Sequence, residues 1–518
     1  MARLEWAPVR RKVAHLFPDR LRALSKVALA VLLAFVPMSM LAGLALGQAA
    51  EPGSAFAWPQ FQGGPSHPGT ADGPPPPYRQ SWAFPVAPVG QQGASAPVVA
   101  ADEAIVVGPA AVYGIDLSTG QGRWTLERAE GPSTTPVVAS VKGTAVVLFT
   151  EGSSSSDTKL RAVELADRTP AWTSPFALGE QSHSGVTVAG GTAFVGDDAG
   201  HLFAVDLATG EERWSVLLND GVQGPLTVAD GTVYTVPQGR LAIGAAATPT
   251  VTPTPSPSPS GQVIGEENRL SLVALSASSG EPSWVVPLPV GTFFTSLPVA
   301  VGDSVYVAVS DGAFNGELLA VNAADGAVRW VHRGVGPVWQ TSSPTAAGGA
   351  VYVADGRGGV WRFDPADGRR LFDFQFNEFI RRSSPVVVGG TALVGLGDGR
   401  LVAVNASSGH EVWESRTGPG LVGGIGVAGD LVLAATGGLR GGVVAFEPDP
   451  QGDLIDVTSP SVADPPRLVG NFVIALVVMT VLLAVPLGYV SRRAKAPEFG
   501  EPAGPGDGDE GANEDGTG

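Results

Sequence analysis

Few residues of this chain have the types and spacing that chemistry in proteins requires. The 518 residues include no cysteine, which excludes disulfides, thiolate metal sites, cysteine nucleophiles and iron–sulfur clusters. The six histidines lack a metal-site spacing such as H-E-x-x-H, and neither a G-x-S-x-G nucleophile turn nor a P-loop occurs. The adjacent acids Asp197 and Asp198 come closest to a pair of calcium ligands, but their position after an apolar run favours a turn. The sequence therefore predicts no catalytic residue and no metal site.

A second group of residues is suited to binding. Arg381 and Arg382 are adjacent in a chain of net charge −17, and guanidinium groups can receive an anionic group or a carboxylate. Trp339 lies outside the register of the repeated aromatics described below, so it could serve as a ligand platform. These residues open successive repeats, where we expect the mouth of a central channel. The candidate ligand-facing residues are His183, Phe293, Phe294, Trp339, Gln340, Arg381 and Arg382.

These candidates lie between copies of one repeated unit. Seven segments of eleven residues align without a gap, and each ends on an aromatic residue; the fullest, Ala204 to Trp214, reads AVDLATGEERW. Most terminal aromatics are 41 to 48 residues apart, the period of a β-propeller blade with four short strands. The longer interval, 70 residues from Trp214 to Trp284, contains a Pro/Ser/Thr-rich insertion, residues 245–262. We expect this insertion to form an extended, solvated loop.

Each repeat also has the residue pattern of short strands joined by turns. Short β-branched runs alternate with Gly, Asn, Asp and Ser. In the eleven-residue motif, the Asp or Asn at the third position can accept bonds from nearby backbone N–H groups. The glycine at the seventh position can adopt a left-handed backbone. The second copy has Arg168 at that glycine position, so we expect its turn to differ or to be strained.

The two ends of the repeat region complement each other. The segment around Trp82 is a lone fourth strand before the first complete repeat, whereas residues 422–446 supply three strands without a fourth. A closed ring leaves no exposed sheet edge at the joint between the first and last blades. The sequence therefore predicts an all-β fold, an eight-bladed propeller of four-stranded blades closed by the N-terminal strand.

Two apolar segments flank the repeats and predict a membrane topology. Residues 27–46 follow a basic leader, and an A-x-A pattern ends at Ala57; a cleaved signal peptide and a retained signal anchor both remain open. Residues 468–490 carry no charge and are long enough to cross a bilayer. The basic residues that follow place that end in the cytoplasm by the positive-inside rule. We therefore expect a cell-membrane protein whose propeller lies on the extracytoplasmic side.

The predicted domains follow one another along the chain. They are a leader with the signal peptide or signal anchor (1–57), the propeller (58–450), a juxtamembrane linker (451–467), a transmembrane helix (468–490) and an acidic disordered cytoplasmic tail (491–518). The tail is too polar to form a core. The acidic balance of the whole chain argues against a nucleic-acid partner, which needs a basic face.

The repeat resembles that of the pyrroloquinoline-quinone-type family, whose motif is roughly A-x-D-x-x-T-G-x-x-x-W and is matched fully by residues 204–214. The segment WPQFQGGPSHPGTA, residues 58–71, is also similar to the start of many such propellers. In that family the terminal aromatics pack between adjacent blades. The resemblance, over residues 58–446, therefore implies that the blade-docking residues are Trp82, Trp124, Trp172, Trp214, Trp284, Trp330, Phe372 and Trp413. Phe372 departs from the pattern, and we expect a looser joint there.

The resembled family includes quinoprotein dehydrogenases and also non-catalytic propellers similar to BamB, a scaffold of outer-membrane protein assembly. The dehydrogenases hold calcium through acid and amide ligands in the central channel, and no such acidic cluster is evident in this sequence. We therefore expect a BamB-like scaffold without a cofactor, which binds a protein partner or ligand and is not an enzyme. The alternatives are a dehydrogenase that uses pyrroloquinoline quinone and calcium, and an extracytoplasmic sensor.

Overall fold

The computed structural model describes residues 57–86, 93–238, 270–338, 342–418, 420, 422–437, 441–455 and 457. The predicted leader, Pro/Ser/Thr insertion, membrane helix and acidic tail lie outside these residues, as do Trp339 and Gln340. The described residues belong to the first of two compact units, Met1–Pro460, and the second unit, Ser461–Gly518, lies wholly outside them. No helix in the described part of the chain has the length and apolar character of a membrane span.

The strands form eight sheets, numbered here as blades in chain order. A short 3-10 helix, Phe61–Gly63, comes first, and β1 (Thr70–Ala71) and β2 (Tyr78–Pro85) follow it. Blades one to four contain β3 (Val98–Ala100), β4 (Glu103–Val107), β5 (Ala111–Asp116), β6 (Gly122–Glu127), β7 (Val137–Val141), β8 (Thr144–Glu151), β9 (Lys159–Glu164), β10 (Phe176–Ala177), β11 (Thr187–Ala189), β12 (Thr192–Gly196), β13 (His201–Asp206), β14 (Glu212–Leu217), β15 (Thr227–Ala229), β16 (Thr232–Thr235), β17 (Ser271–Ser276) and β18 (Pro282–Pro287).

Blades five to eight complete the ring. Their strands are β19 (Thr292–Thr295), β20 (Val299–Val301), β21 (Ser304–Asp311), β22 (Gly316–Asn322), β23 (Val328–Val335), β24 (Thr345–Ala347), β25 (Ala350–Ala354), β26 (Gly359–Phe363), β27 (Arg370–Gln375), β28 (Val386–Val388), β29 (Thr391–Gly395), β30 (Arg400–Asn405), β31 (Glu411–Arg416), β32 (Val422–Ala428), β33 (Leu431–Thr436) and β34 (Gly442–Pro448). Consecutive strands of a blade pair antiparallel, and the first strands of neighbouring blades contact one another. The predicted eight-bladed, all-β propeller is confirmed.

The ring closes through the N-terminal strand. Strand β2 pairs antiparallel with β34, with Tyr78 opposite Pro448 and Pro85 opposite Gly442. Blade eight therefore takes its outermost strand from the start of the chain and its other three strands from the end. This is the closure that the two incomplete repeats predicted.

Antiparallel pairing gives the propeller two different faces. The turns between first and second strands and the motif turns between third and fourth strands lie on one face, which we call the turn face. The loops between second and third strands, together with the connections between blades, lie on the other, which we call the loop face. Among the predicted ligand-facing residues that the structure describes, His183, Arg381 and Arg382 belong to connections between blades, and Phe293 and Phe294 lie in β19, which precedes the first strand β20 of blade five. They therefore lie on the loop face.

The hydrophobic core lies between blades. One cluster joins Phe194 and Leu202 of blade three to Val228 and Val233 of blade four, and equivalent clusters join the other blades. The second and third strands are apolar on both sides because each sheet packs against a neighbour on both of its faces. The stacking of sheets around a ring thus buries runs such as TAFVG in β12 completely.

Most terminal aromatics of the repeat contact the next blade. The indole N–H groups of six tryptophans donate to backbone oxygens of the following blade at 2.8–3.0 Å; the pairs are Trp82 with Leu117, Trp172 with Leu207, Trp214 with Ala277, Trp284 with Ala323, Trp330 with Pro365, and Trp413 with Tyr78. The rings also cover the motif glycine of that blade. A Cβ atom on Gly210, for example, would lie 2.6 Å from the Trp172 ring. A role for these aromatics in docking the blades stays a prediction.

Two of the eight aromatic positions differ from the others. Trp124 donates its indole N–H to Glu103 Oε2 of its own blade at 2.9 Å, and Arg168 of blade two lies 5.6 Å from its ring. Arg168 has a left-handed backbone (φ 63°) and donates its N–H to the Glu164 oxygen, the same bond that Gly120 makes in blade one. The turn around Arg168 therefore has the same hydrogen bond as the glycine-containing turns of the other copies. It places a side chain at a position where the left-handed backbone favours glycine.

Phe372 keeps the packing of a docking residue but has no indole N–H. A Cβ atom on Gly409 would lie 2.7 Å from its ring. We expect Phe372→Trp to raise the free energy of unfolding by about 0.5–1.5 kcal/mol, since the new N–H can reach the Ala406 oxygen. Trp330→Phe is the reverse change at a matched joint and should lower stability by a similar amount. Urea unfolding measures both, and a loss of stability in Phe372→Trp would contradict the prediction.

The chain returns to blade seven after its last strand. The Glu411 and Val457 backbones exchange two hydrogen bonds of 3.0 Å, and the Ile455 N–H donates to the Val412 oxygen at 2.9 Å. These bonds add Ile455 and Val457 to the outer edge of β31. The start of the predicted juxtamembrane linker is therefore paired with the propeller.

The Glu411 side chain beneath this return is only 7% exposed, and its Oε1 atom has no hydrogen-bond partner among the described residues. Burial, and then the nearby Glu414 carboxylate, raise its pKa from 4.5 to about 7. The folded state therefore holds a proton that the unfolded state has lost, and stability declines as pH rises from about 4.5 to 7. The cost is largest above that range, where Glu411 is ionised in both states.

We therefore expect Glu411→Gln to stabilise the protein by about 1–3 kcal/mol near pH 8 and to have little effect near pH 4. Thermal unfolding at the two pH values measures the difference. Glu414→Gln is the control, because Glu414 is partly exposed and pairs with Arg400 at 2.7 Å; its effect should stay within about 1 kcal/mol. An equal gain for Glu411→Gln at both pH values would contradict the prediction.

Candidate functional site: the central channel and its mouth

The central channel is lined by the first strand of each blade. These strands are β3, β7, β11, β15, β20, β24, β28 and β32. Each pairs with the second strand of its blade, so its other edge faces the axis. An unpaired strand edge presents N–H and C=O groups that need partners. The next question is which groups inside the ring form hydrogen bonds with these eight strand edges.

Residues 58–73 fill this position, and we call them the plug. Six backbone N–H groups, always from the second residue of a first strand, donate to the plug. The pairs are Val99 with the Trp58 oxygen (2.8 Å), Val138 with Pro59 (2.8 Å), Val188 with Gln60 Oε1 (3.0 Å), Val228 with Pro65 (2.7 Å), Ala300 with Ser66 (3.2 Å) and Val387 with Gly69 (2.8 Å). The plug therefore caps the inner edges of blades one, two, three, four, five and seven.

The remaining two blades also contact the plug. Gln62 Nε2 donates to Thr345 Oγ1 of blade six at 2.9 Å and to the Pro385 oxygen at 3.2 Å. A Cβ atom on Gly73 would lie 3.3 Å from the Gly429 oxygen of blade eight. Strand β1 at the end of the plug pairs in parallel with β28. The plug thus contacts every blade of the ring.

The plug bends through several left-handed residues. Gln62, Gly63, His67 and Gly69 have φ values of 50°, 81°, 61° and 62°. Such a backbone is strained for Gln62 and His67, which are not glycines. The surrounding contacts hold it in place, because both side chains are almost completely buried. The bends allow a short segment to follow the narrow inner circle of the ring.

His67 lies at the centre of the plug and is neutral. Its Nδ1 atom is 3.0 Å from Thr227 Oγ1, and its ring meets the Phe61 ring edge-on at 5.0 Å between centroids. Burial lowers the pKa of His67 to about 4. His67 Nε2 and Gln62 Oε1 are buried and have no partner among the described residues. The plug therefore carries polar groups but no charge at its centre.

The sequence did not indicate that residues 58–73 enter the channel. The segment reads WPQFQGGPSHPGTADG and lacks the alternation of a strand and the period of a helix. One feature could have indicated burial: the large apolar residues Trp58 and Phe61 lie in a stretch that is otherwise rich in glycine and proline. Such side chains are usually buried, and Trp58 is 1% exposed.

The predicted ligand-facing residues share the loop face without forming one cluster. His183 in the connection to blade three pairs with Asp198 at 2.8 Å. Arg381 and Arg382 lie in the connection to blade seven, on the opposite side of an eight-membered ring. Arg381 and Arg382 are both exposed, yet desolvation by the surrounding atoms, and then the Arg381 charge, lower the pKa of Arg382. A role for these residues in binding stays a prediction.

Phe293 and Phe294 belong to an extension of blade five. They lie in β19, which pairs with the far end of β21 and gives this blade a fifth strand. Their rings meet edge-on with centroids 4.7 Å apart. Phe293 is 53% exposed and the preceding Val290 is 88% exposed. We call Val290, Phe293 and Phe294 the crown.

The acids Asp197 and Asp198 serve the local structure. Asp197 is buried, and its carboxylate accepts bonds from the Ala199 and His201 N–H groups and lies 2.8 Å from His201 Nδ1. These are turn contacts. Over the described ranges, no three histidine or acidic side chains lie close enough together to hold a metal ion.

Comparison with known proteins agrees with this architecture. The family model described as outer membrane protein assembly factor BamB matches residues 156–252 and 266–420. The BamB protein of Burkholderia pseudomallei (strain K96243) is 36% identical over 88 residues, which is 17% of this chain and 22% of that protein. The match therefore spans less than a quarter of that relative.

Solved structures match over most of the propeller. BamB from Moraxella catarrhalis is 18% identical with a TM-score of 0.51, covering 72% of this chain and 100% of that one. Quinohemoprotein alcohol dehydrogenase from Comamonas testosteroni is 15% identical with a TM-score of 0.57, covering 80% and 86%. At such identities the likeness concerns the fold alone. The repeats, the eight-bladed ring and the family match together make the chain similar to the BamB-like β-propellers of the pyrroloquinoline-quinone-type repeat family.

Proposed function

We propose that this propeller is a non-catalytic scaffold that binds a protein partner through the crown of blade five. The observation that carries the proposal is the exposure of Phe293 on β19 and of Val290 in the turn before it. Aromatic and aliphatic side chains exposed together are typical anchors of protein interfaces. The BamB-like family supports this class of function, since the matched relative is named as an assembly factor.

Hydrogen bonds of Thr295 fix the end of the strand that carries Phe293 and Phe294, which favours binding over exposure by chance. Gln238 Nε2 donates to the Thr295 oxygen, and the Thr295 N–H donates to Gln238 Oε1, both at 3.2 Å. In the neighbouring loop Asp311 accepts bonds from the Ala313 and Asn315 N–H groups at 2.9 Å. A rigid apolar surface loses little conformational entropy when a partner binds.

The channel supports a non-catalytic function. The resemblance to quinoproteins implies calcium and a quinone held by acids and amides in the channel. Here the inner strand edges are capped by the plug, and the described residues offer no group of acids or histidines for a metal. These residues do not fit that cofactor. The alternative of a dehydrogenase draws support from the likeness in fold to the quinohemoprotein enzyme.

The location of the scaffold is also a proposal. The basic leader before residues 27–46 and the basic residues after residues 468–490 favour a membrane protein with its propeller outside the cytoplasm. In that topology the loop face is accessible to extracytoplasmic proteins. Protease protection in intact and permeabilised cells tests the topology.

Site-specific crosslinking tests the partner. A photoreactive residue at Phe293 should capture a discrete protein in cells, and Val290→Asp should abolish the capture by placing a charge at the interface. The control is the same photoreactive residue at Val331, which is 40% exposed on the outer strand of blade five. Once the partner is purified, Phe293→Ala should weaken its binding about tenfold or more, or about 1.4 kcal/mol. Equal capture from both positions, or none from Phe293, would refute the proposal.

A further inference from the structure

We propose that the central channel is a peptide-binding site, which the plug occupies in cis, and that a quinone is excluded while the plug is bound. The inference concerns the channel and does not depend on the partner at the crown. It rests on the inner edges of the blades, on the composition of the plug and on the space around it.

The channel binds the plug as an exposed sheet edge binds an added strand. Five of the six N–H donors use backbone oxygens of the plug, and the sixth uses the Gln60 side chain. In β1 the plug joins the sheet of blade seven as a parallel strand, with Thr70 opposite Val387 and Ala71 opposite Val388. Backbone pairing of this kind gives affinity without requiring a particular side chain at each position. Any segment that presents oxygens at the same spacing can satisfy these donors.

The plug also shows which peptides the channel accepts. Pro59 and Pro65 provide oxygens and have no N–H group that would need a partner inside the ring. Gly69 has a left-handed backbone and lies against Thr345. Trp58 anchors one end and is 1% exposed. The ligand class is therefore a peptide rich in proline and glycine that bends at left-handed residues and carries an aromatic anchor.

The plug is closely packed at two of its glycines. A single added carbon at Gly69 would lie 2.5 Å from Thr345 Oγ1 and 2.9 Å from Gln62 Nε2. At Gly63 it would lie 3.0 Å from the Trp58 ring. Cores at this packing density do not admit additional groups without displacement. A flat tricyclic quinone could reach this level only if the plug left.

A nicked protein tests whether the plug is a bound ligand. A protease recognition sequence is inserted after Asp72, which is exposed, and a second one after Gln48 removes the leader. The full chain is folded and then cut at both places. We expect the released peptide, residues 49–72, to remain with the propeller through gel filtration. Gly69→Ala should speed its loss about tenfold or more.

Gly143→Ala in the nicked protein is the control. Gly143 also has a left-handed backbone (φ 87°), and a Cβ atom there would meet nothing within 4 Å, so the peptide should be retained as in the parent. Immediate loss of the peptide, with the ring folded or unfolded, would overturn the proposal. So would equal rates of loss for the two glycine variants.

A titration with pyrroloquinoline quinone and calcium chloride tests exclusion. The uncut chain should produce no saturable change in quinone absorbance. Stoichiometric quinone binding with the plug still protected from proteolysis would overturn the exclusion. Neither experiment involves the crown, so failure of the scaffold proposal and failure of this one can be told apart.

Discussion

Gly69→Ala is expected to lower the free energy of unfolding by about 2–4 kcal/mol. About 1–2 kcal/mol comes from the left-handed backbone, φ 62° at Gly69, which a Cβ atom disfavours. The remainder comes from overpacking, since the new carbon would lie 2.5 Å and 2.8 Å from two atoms of Thr345. Urea unfolding followed by tryptophan fluorescence measures the loss.

Gly143→Ala isolates the backbone part of that effect, so the difference between the two variants gives the steric part. Its backbone is also left-handed, at φ 87°, but the space around it is open. We expect it to cost about 1–2 kcal/mol, the backbone contribution alone. Equal losses for Gly69→Ala and Gly143→Ala would mean that the plug does not fill the channel tightly.

Trp413→Ala is expected to cost about 3–5 kcal/mol, because it removes a large buried side chain at the closure of the ring. Trp413 is 5% exposed, and its indole N–H donates to the Tyr78 oxygen of the closing strand at 3.0 Å. Its ring also meets the Tyr78 and Phe446 rings edge-on at 5.2 and 5.6 Å between centroids. The loss should appear as a lower midpoint of thermal and urea unfolding.

Trp124→Ala is the comparison for the closure. Trp124 is partly exposed and bonds to Glu103 of its own blade, so it contributes less to the joint with the next blade. We expect roughly half of the loss seen for Trp413→Ala. A loss at Trp124 as large as that at Trp413 would show that the contact with the closing strand adds nothing of its own.

Much of the fold could be predicted from the sequence because its causes are local. The motif turn depends on an Asp or Asn and a glycine four residues later; in the third copy these are Asp206 and Gly210, where the Gly210 N–H donates to the Asp206 oxygen at 2.8 Å. Short apolar runs and turn residues recur in every copy of the repeat. Seven aligned copies therefore predicted a series of similar blades. The two incomplete repeats implied the closure by β2.

The candidate site could be predicted only in part. Register placed Arg382 and His183 on the loop face, but their positions in blades seven and three separate them across the ring. Phe293 and Phe294 of the crown were among the predicted ligand-facing residues, but the strand that carries them was not predicted, since β19 exists only by pairing with the far end of β21. The sequence also did not predict that the chain pairs again with Glu411 after its last strand. A backbone bridge between Val457 and β31 depends on residues far apart in the sequence, so no short motif indicates it.

The sequence by itself determined the repeated blade, the number of blades and the strand that closes the ring. Each of these follows from residue types within some forty positions, where turn chemistry and period-two patterning act. Only the tertiary structure decided that residues 58–73 enter the channel. The plug has no pattern of its own, and its conformation is stabilised by six N–H donors that come together only when the blades form a ring. The closed ring of strands thus binds the plug, a segment of the propeller that lies outside the repeated motif.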